Sequence, residues 1–239
     1  GAGRLIVILS PLSLPHRPVT HVRRPLYRSG VLRSRSLPRP VISVRNRSFG
    51  GSGKTPAVIA IASALEAGGR KVAILTRGYG RVSDATVIVR GNDVDAFGDE
   101  PLLLARRLPE ADVIVGADRF SSGLFYLKDH DCDVFILDDG FQHQQLRRDF
   151  DLVIEDSSAA LLREGRAALR DADAILLRDG ARSSVDRPAF AATLVPTAVR
   201  LGDQLVSIDS LRSKRVLAFS GLARNRRFFD LLRERDAVL

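Results

Sequence analysis

From residue 40 onward, short runs of β-branched and aliphatic residues alternate with longer stretches whose apolar positions recur every three or four residues. Runs of the first kind fit strands buried on both faces, and stretches of the second kind fit helices packed against them. PVISV at 40–44, KVAIL at 71–75 and residues 86–89, 112–115, 134–137, 152–155 and 174–177 are the predicted strands. Helices are predicted over 56–67, 100–108 and 119–128, the first ending at Gly68-Gly69 as a helix stop should. Strand and helix in alternation predict an α/β fold with a mostly parallel sheet flanked by helices. The polar, turn-rich stretch 180–188 reads as a linker. Beyond it, 215–221 begins another strand-loop-helix unit, with its helix at about 226–234. The expected organisation is a segment at 1–39, the main α/β domain at 40–180, and the start of a smaller C-terminal α/β domain at 189–239.

Composition sharpens this picture. The chain has 239 residues, 45% apolar and 27% charged, enough for a sizeable core. Its single cysteine, Cys132, excludes a disulfide framework and a cysteine metal cluster, and suits a reducing compartment. No methionine occurs, even at position 1, so the expectation is that residue 1 is not the translational start and that the chain is a fragment.

The net charge of +9 is unevenly placed. Ten arginines and Lys54 precede the first acidic residue, Glu66, whereas the remainder carries 26 basic and 28 acidic residues. The basicity therefore belongs to the front of the chain. Such a segment suits anionic lipid head groups or nucleic-acid phosphates, and a solvated arm is the plainer alternative. The apolar run at 5–9 is far shorter than the ~20 residues of a spanning helix, and Pro11, Pro15, Pro18 and Pro25 argue against one long helix. A segment that lies on a membrane surface remains compatible.

The strongest chemical signal is SFGGSGKT at 48–55. It differs from the phosphate-loop pattern only in having Ser48 at the first glycine position. The loop stands between a predicted strand and an Ala-rich helix, as its function requires. Ser48, Gly50, Gly51, Ser52 and Gly53 could wrap backbone N–H groups around a polyphosphate, aided by the helix N-terminus. Lys54 would reach the β- and γ-phosphates, and Thr55 would ligate Mg²⁺. These features predict a P-loop NTPase-like domain that binds a nucleotide polyphosphate with Mg²⁺.

Such a loop needs an acidic metal partner at the end of a buried strand. The run 134–137 leads into Asp138 and Asp139, either of which could hold the metal directly or through water. Three more clusters fall near strand C-termini, where ligands bind in open α/β sheets: TRGYGR at 76–81, GDEP at 98–101 and DGFQH at 139–143. Asp99 and Glu100 could act as general base and metal partner, although Asp99 ahead of Glu100-Pro101 equally suits a helix cap. Arg77, Tyr79, Arg119, Gln142 and His143 are candidate substrate contacts.

Taken together, the ordered motifs PVISVRNRSFGGSGKTP (40–56), LTRGYGR (75–81), GDEPLLLARRLP (98–109), VGADRF (115–120), FILDDGFQHQQLRRDFDLVIED (135–156), LREGRAALRDADAILL (162–177) and VLAFSGLARNRRFF (216–229) resemble the tetraacyldisaccharide 4′-kinases of lipid A biosynthesis. Ser or Thr at the first loop position is usual in that family. The resemblance implies transfer of the γ-phosphate of ATP to the 4′-hydroxyl of an acylated disaccharide 1-phosphate, with Asp99 assisting removal of the hydroxyl proton. It implies a lipid A disaccharide precursor as partner, an anionic membrane surface as the working place, and peripheral or monotopic attachment at the cytoplasmic face of the bacterial inner membrane.

The family's histidine partner for Asp99, in the C-terminal domain, has no counterpart within these residues. Two further departures are expected to matter. Arg45-Asn46 stands where the family has Gly-Asn and is expected to crowd the approach to the loop. A segment of the Leu-Pro-Ala-Gly-Pro-Leu-Arg-Glu type is shortened to LLREGRAAL at 161–169.

Three rival readings exist. A P-loop enzyme acting on a soluble small molecule accounts for the loop and metal site but not for the basic front. A nucleotide switch or nucleic-acid binder uses the arginines, yet the arm lacks interleaved aromatics, so no nucleic acid is expected as partner. The third is a homologue that binds ATP without turnover.

Overall fold

The computed structural model describes residues 34–46, 53–138, 145–156, 167–178, 180–220 and 226–238. Of the candidate site residues, Ser48, Gly50, Gly51, Ser52, Asp139, Gln142 and His143 lie outside them. The strands are β1 (Val41–Asn46), β2 (Val72–Thr76), β3 (Val87–Ile88), β4 (Asp112–Val115), β5 (Val134–Asp138), β6 (Phe150–Asp156), β7 (Ala174–Arg178), β8 (Ala189–Ala192), β9 (Ala198–Leu201) and β10 (Gln204–Ser207). The helices are α1 (Lys54–Ala67), α2 (Val94–Phe97), α3 (Asp99–Arg107), α4 (Arg119–Tyr126), α5 (Ala167–Arg170) and α6 (Arg226–Glu234).

β1 to β8 form one sheet in the order β3-β4-β2-β5-β1-β6-β7-β8. Every neighbouring pair is parallel except the edge pair β3–β4. The chain leaves β1, crosses to β2, and later inserts β5 between the two before continuing on the other side with β6. The C-terminal end of β1 is thus the place where the direction of winding reverses, and it is where ligands bind in open α/β sheets.

The strands read as continuous apolar runs because both faces of the sheet are covered. Successive residues alternate between two layers. Val44, Ile74, Val113, Val115, Ile136 and Ile154 pack with Val58 and Ala62 of α1 and with Leu102 and Leu104 of α3. Val41, Leu75, Ile114, Phe135 and Leu137 pack with Tyr126 of α4 on the other face. A smaller cluster of Val153, Leu169, Ala172 and Ile175 continues the second layer beneath β6 and β7.

Local chemistry sets the helix ends. Gly53, with φ of 79°, is the N-cap of α1, and Pro56 falls in the first turn, where no N–H is needed. Gly68 and Gly69 close the helix, their N–H groups donating to the carbonyls of Ala64 and Glu66. α4 starts at Asp118, whose carboxylate accepts from the N–H groups of Phe120 and Ser121. Arg35 binds the same carboxylate at 2.7 Å and stacks on the Phe120 ring. Burial opposes ionisation of Asp118, but the Ser121 N–H, the Arg35 guanidinium and the Phe120 N–H outweigh it and hold the carboxyl below its ordinary range.

Some expectations shift. The strand predicted at 86–89 shortens to Val87–Ile88 and pairs antiparallel at the sheet edge. The 180–188 stretch carries the chain to β8, which pairs with β7, so the main sheet extends past the expected linker. β9 and β10 then form an antiparallel hairpin turning at Gly202. The helix expected near 226–234 is α6, but the run before it makes only a bridge, from Arg215 to Val238.

Arg45 does not crowd the loop approach. Its side chain lies on the face of β1 away from α1, is 2% exposed, and donates through Nε to Asp151 Oδ1 at 2.9 Å. Arg148 lies 3.7 Å from the other oxygen of Asp151. A buried pair of this kind roughly balances its own desolvation, so its removal as a unit costs little, whereas removal of one partner strands a charge. Asp151→Ala is expected to lower stability by about 3 to 5 kcal/mol, and Arg45→Met with Asp151→Leu to recover most of that loss. Urea denaturation of both variants checks this; a loss below ~1 kcal/mol for the single change contradicts it.

The thiol of Cys132 is 1% exposed. Burial, then the nearby Asp131 charge, pushes it up to about 12. The native chain should resist an aromatic disulfide reagent at pH 8 and react with one equivalent once denatured; rapid labelling of the folded protein is the contrary result.

Candidate active site

The end of β1, the start of α1 and the ends of β2 and β5 meet at one edge of the sheet. Asp138 is the last residue of β5, is paired in register with Val44 of β1, and is 1% exposed. Lys54, the first residue of α1, places its Nζ 3.5 Å from Asp138 Oδ1. The Thr76 hydroxyl at the end of β2 approaches Asp138 Oδ2 at 3.4 Å. A lysine and a buried carboxylate facing each other at a helix N-terminus form a charge-neutral pair. An incoming polyphosphate can take over the lysine, and a cation can take over the carboxylate.

Thr55 donates its hydroxyl to Glu100 Oε1 at 2.9 Å, joining α1 to α3. Two of the side chains proposed for metal duty, 45 residues apart in the sequence, are therefore in contact. Among the described residues, no three His, Cys, Asp or Glu side chains gather into a metal cluster. Mg²⁺ keeps several waters and takes one or two protein carboxylates besides substrate phosphates. A threonine hydroxyl at the helix start with a buried aspartate opposite is a donor set that fits it.

Asp99 is the first residue of α3, with the N-cap position taken by Gly98. The helix-cap alternative for its carboxylate is thus not what the fold uses. Its side chain is exposed, and no hydrogen bond or ion pair engages it among the described residues.

Backbone packing, not side-chain contact, brings the TRGYGR and GDEP clusters together. Gly78 has φ of 66° and Gly98 φ of 88°, both in the region glycine alone enters readily. A Cβ on Gly78 would lie 2.8 Å from the Phe97 carbonyl oxygen, and one on Gly98 would lie 3.0 Å from that of Tyr79. Val82 adds a hydrogen bond to the Asp95 carbonyl. Arg77 and Tyr79 project from this junction into solvent, Tyr79 at 88% exposure, while Arg81 turns back to the Ala85 carbonyl. Arg119 stands apart from these, 2% exposed, with Nη1 donating to the Gly116 and Ala117 carbonyls. It braces the turn after β4 instead of presenting its charge at the surface.

One residue at this edge was not singled out from the sequence. Arg178 ends β7, and its guanidinium lies so close to Gly53 that a Cβ there would stand 2.1 Å from Nη1. Its position at the C-terminal end of a buried strand was the available signal.

A parallel sheet whose winding reverses at β1, with Lys54 and Thr55 opening the following helix and a buried Asp138 ending the neighbouring strand, defines a phosphate-loop nucleotide-binding protein. Within that class the chain belongs to the LpxK family, tetraacyldisaccharide-1-P 4′-kinase, which matches residues 5–239. It is 38% identical over 261 residues to the tetraacyldisaccharide 4′-kinase of Pelobacter propionicus, covering 98% of this chain and 72% of that protein. With the enzyme of the same name from Aquifex aeolicus it shares 37% identity over 243 residues, 94% of this chain and 76% of the relative. The crystal structure of the "apo" form of LpxK from Aquifex aeolicus in complex with ATP superposes with a TM-score of 0.81 at 35% identity, covering 96% of this chain and 78% of that one.

The junction between Gly98 and the Tyr79 carbonyl yields a test. Gly98→Ala forces a side chain into a backbone region that is nearly glycine-only, at a cost of about 1 to 3 kcal/mol, and displaces the start of α3. Stability should fall by that amount in urea denaturation, and turnover by more than the loss of folded protein explains. A variant with full stability and activity would show that the junction sets nothing.

Proposed function

We infer that this chain is a phosphotransferase that moves the γ-phosphate of ATP to the 4′-hydroxyl of a tetraacyldisaccharide 1-phosphate in lipid A biosynthesis. The observation that carries the chemistry is the Lys54–Asp138 pair at the N-terminus of α1, with Thr55 and Glu100 in contact beside it. Family membership supplies the substrate class.

In the proposed reaction, the acceptor hydroxyl oxygen attacks the γ-phosphorus in line with the bond to the β–γ bridging oxygen. That bond breaks, ADP leaves, and the hydroxyl proton passes to the Asp99 carboxylate. Asp99 suits this because its carboxylate is exposed and uncommitted among the described residues. Lys54 offsets charge on the phosphates, and the α1 N-terminus adds its own partial positive charge. Thr55 and Asp138, with Asp139 and Glu100, are the residues that would hold Mg²⁺, which when bound would supply further charge neutralisation. Arg77 and Tyr79, exposed on the loop that abuts Gly98, would meet the acceptor.

A substrate with four acyl chains stays in a bilayer, so the enzyme must work at its surface. Among the described residues, no helix is long and apolar enough to cross a membrane. The basic 1–39 segment favours a peripheral attachment at the cytoplasmic face of the inner membrane, at roughly 1 kcal/mol per basic residue near an anionic surface. Residues 40–180 would carry the kinase chemistry and 189–239 a smaller lobe.

ATP consumption with Mg²⁺ should depend on a lipid A disaccharide precursor presented in detergent. Equal phosphorylation of a soluble sugar or nucleoside is the result that removes the lipid assignment. Lys54→Ala should lower turnover by several orders of magnitude. Activity retained within about tenfold, a barrier change of only ~1.4 kcal/mol, contradicts the role given to the lysine.

A further inference from the structure

We propose that Arg178 is a nucleotide-binding residue that grips the non-transferred phosphates of ATP and ADP. The proposal rests on the nucleotide reading of the site and adds a residue to it. Arg178 ends β7 and is paired in register with Asp156 of β6. β7 is separated from β1 by β6, so the side chain reaches across one strand to arrive at Gly53. There a Cβ would meet Nη1 at 2.1 Å, Cζ at 2.6 Å and Nε at 3.0 Å. The whole guanidinium, not only its tip, lies against the residue that caps α1.

Three considerations turn this placement into a function. Electrostatics comes first. The N-terminus of a helix carries partial positive charge, and cations there are disfavoured unless an anion is present. Here Lys54 and Arg178 flank the same first turn, and Arg178 is only 8% exposed. A lysine, a guanidinium and a helix N-terminus converging on one turn can receive a multiply charged anion, the lysine by exchanging Asp138 for it.

The second consideration is the side of approach. In the strand order β2-β5-β1-β6-β7, Asp138 comes from the β5 side of the loop and Arg178 from the β7 side. Lys54 turns toward Asp138, and Asp99 and Glu100 start α3, whose Leu102 and Leu104 pack with β2 and β4. The groups assigned to phosphoryl transfer thus lie on one side of Gly53. Arg178 lies on the other, where the α- and β-phosphates of a nucleotide with its γ-phosphate at Lys54 would run. Third, a planar guanidinium offers paired N–H donors that match phosphate oxygens, which a lysine in its place would not.

The role follows: Arg178 holds what ATP and ADP share. Its loss should weaken both nucleotides alike, unlike the loss of a group that faces the transferred phosphate. The experiment measures binding of a fluorescent ADP and a fluorescent non-hydrolysable ATP analogue to the full chain and to Arg178→Gln, Arg178→Lys and Lys54→Ala. Arg178→Gln should weaken ADP and the ATP analogue by a similar factor of roughly ten or more, within the range for a charge-assisted hydrogen bond. Arg178→Lys should recover at least threefold of that loss because it keeps the charge. In turnover, the effect should appear as a raised KM for ATP more than as a lowered kcat.

Retained ADP affinity in Arg178→Gln overturns the proposal. So does a loss confined to the ATP analogue, which would place the arginine at the transferred phosphate. Equal loss in the Lys and Gln variants also overturns it, because the guanidinium would then be packing support for Gly53. If the unmodified chain binds neither nucleotide, the nucleotide reading itself falls, and that outcome is separate from failure of the arginine alone.

Discussion

β1 is held on every side. It is hydrogen-bonded to β5 along one edge and β6 along the other, with the α1 layer on one face. On the other face Val41 packs into the second apolar layer, and Arg45 binds Asp151. A strand so enclosed cannot shift its register without exposing a core residue or stranding a charge. Everything that follows it in the chain inherits that fixity. The first residue of α1 reaches the last residue of β5 because the two strands beneath them are adjacent and parallel, with Val44 beside Asp138. In a parallel sheet all strands end on the same side, so the constraint also gathers Thr76, Asp138, Asp156 and Arg178 along one edge.

The polar groups at that edge are arranged as pairs, one of opposite charges and one a neutral hydroxyl donating to a carboxylate. Lys54 faces Asp138, and Thr55 satisfies Glu100. A free lysine beside a buried free carboxylate would each bear a desolvation penalty. Facing each other, they are already oriented, so a phosphate and a cation exchange partners with groups that need little reorganisation. Such preorganisation is how electrostatic stabilisation becomes effective in a site that excludes water.

Much of this was legible in the sequence because it is local. A run of β-branched residues ending in Asp138, or a glycine stretch ending in Lys54-Thr55, carries its own structural context within a few positions. The sequence also placed TRGYGR and GDEP near strand C-termini, though not that the backbones of Gly78 and Gly98 touch. What was hidden depends on distant partners. Arg45 looked like an intrusion beside the loop because Asp151, which receives it, belongs to another strand. Arg178 looked like the tail of a hydrophobic run, since nothing near it in the chain mentions Gly53. Arg119 was a candidate substrate contact, yet its Nη1 donates to two carbonyls of the preceding turn. The antiparallel β3 and the added β8 were similarly obscured, because edge strands are short and follow what the neighbouring strand leaves unpaired.

The apposition of Gly78 and Gly98 separates two properties that enzymes often entangle. The loop that bears Arg77 and Tyr79 is located by its backbone, pressed against the residue that precedes Asp99. Its outward side chains carry none of that positioning. In the proposed reaction they would be free to vary with the shape of the acceptor while the loop keeps its place beside Asp99. Under that proposal the main chain would be the ruler and the side chains the reading head, and selection could recut the second without recalibrating the first.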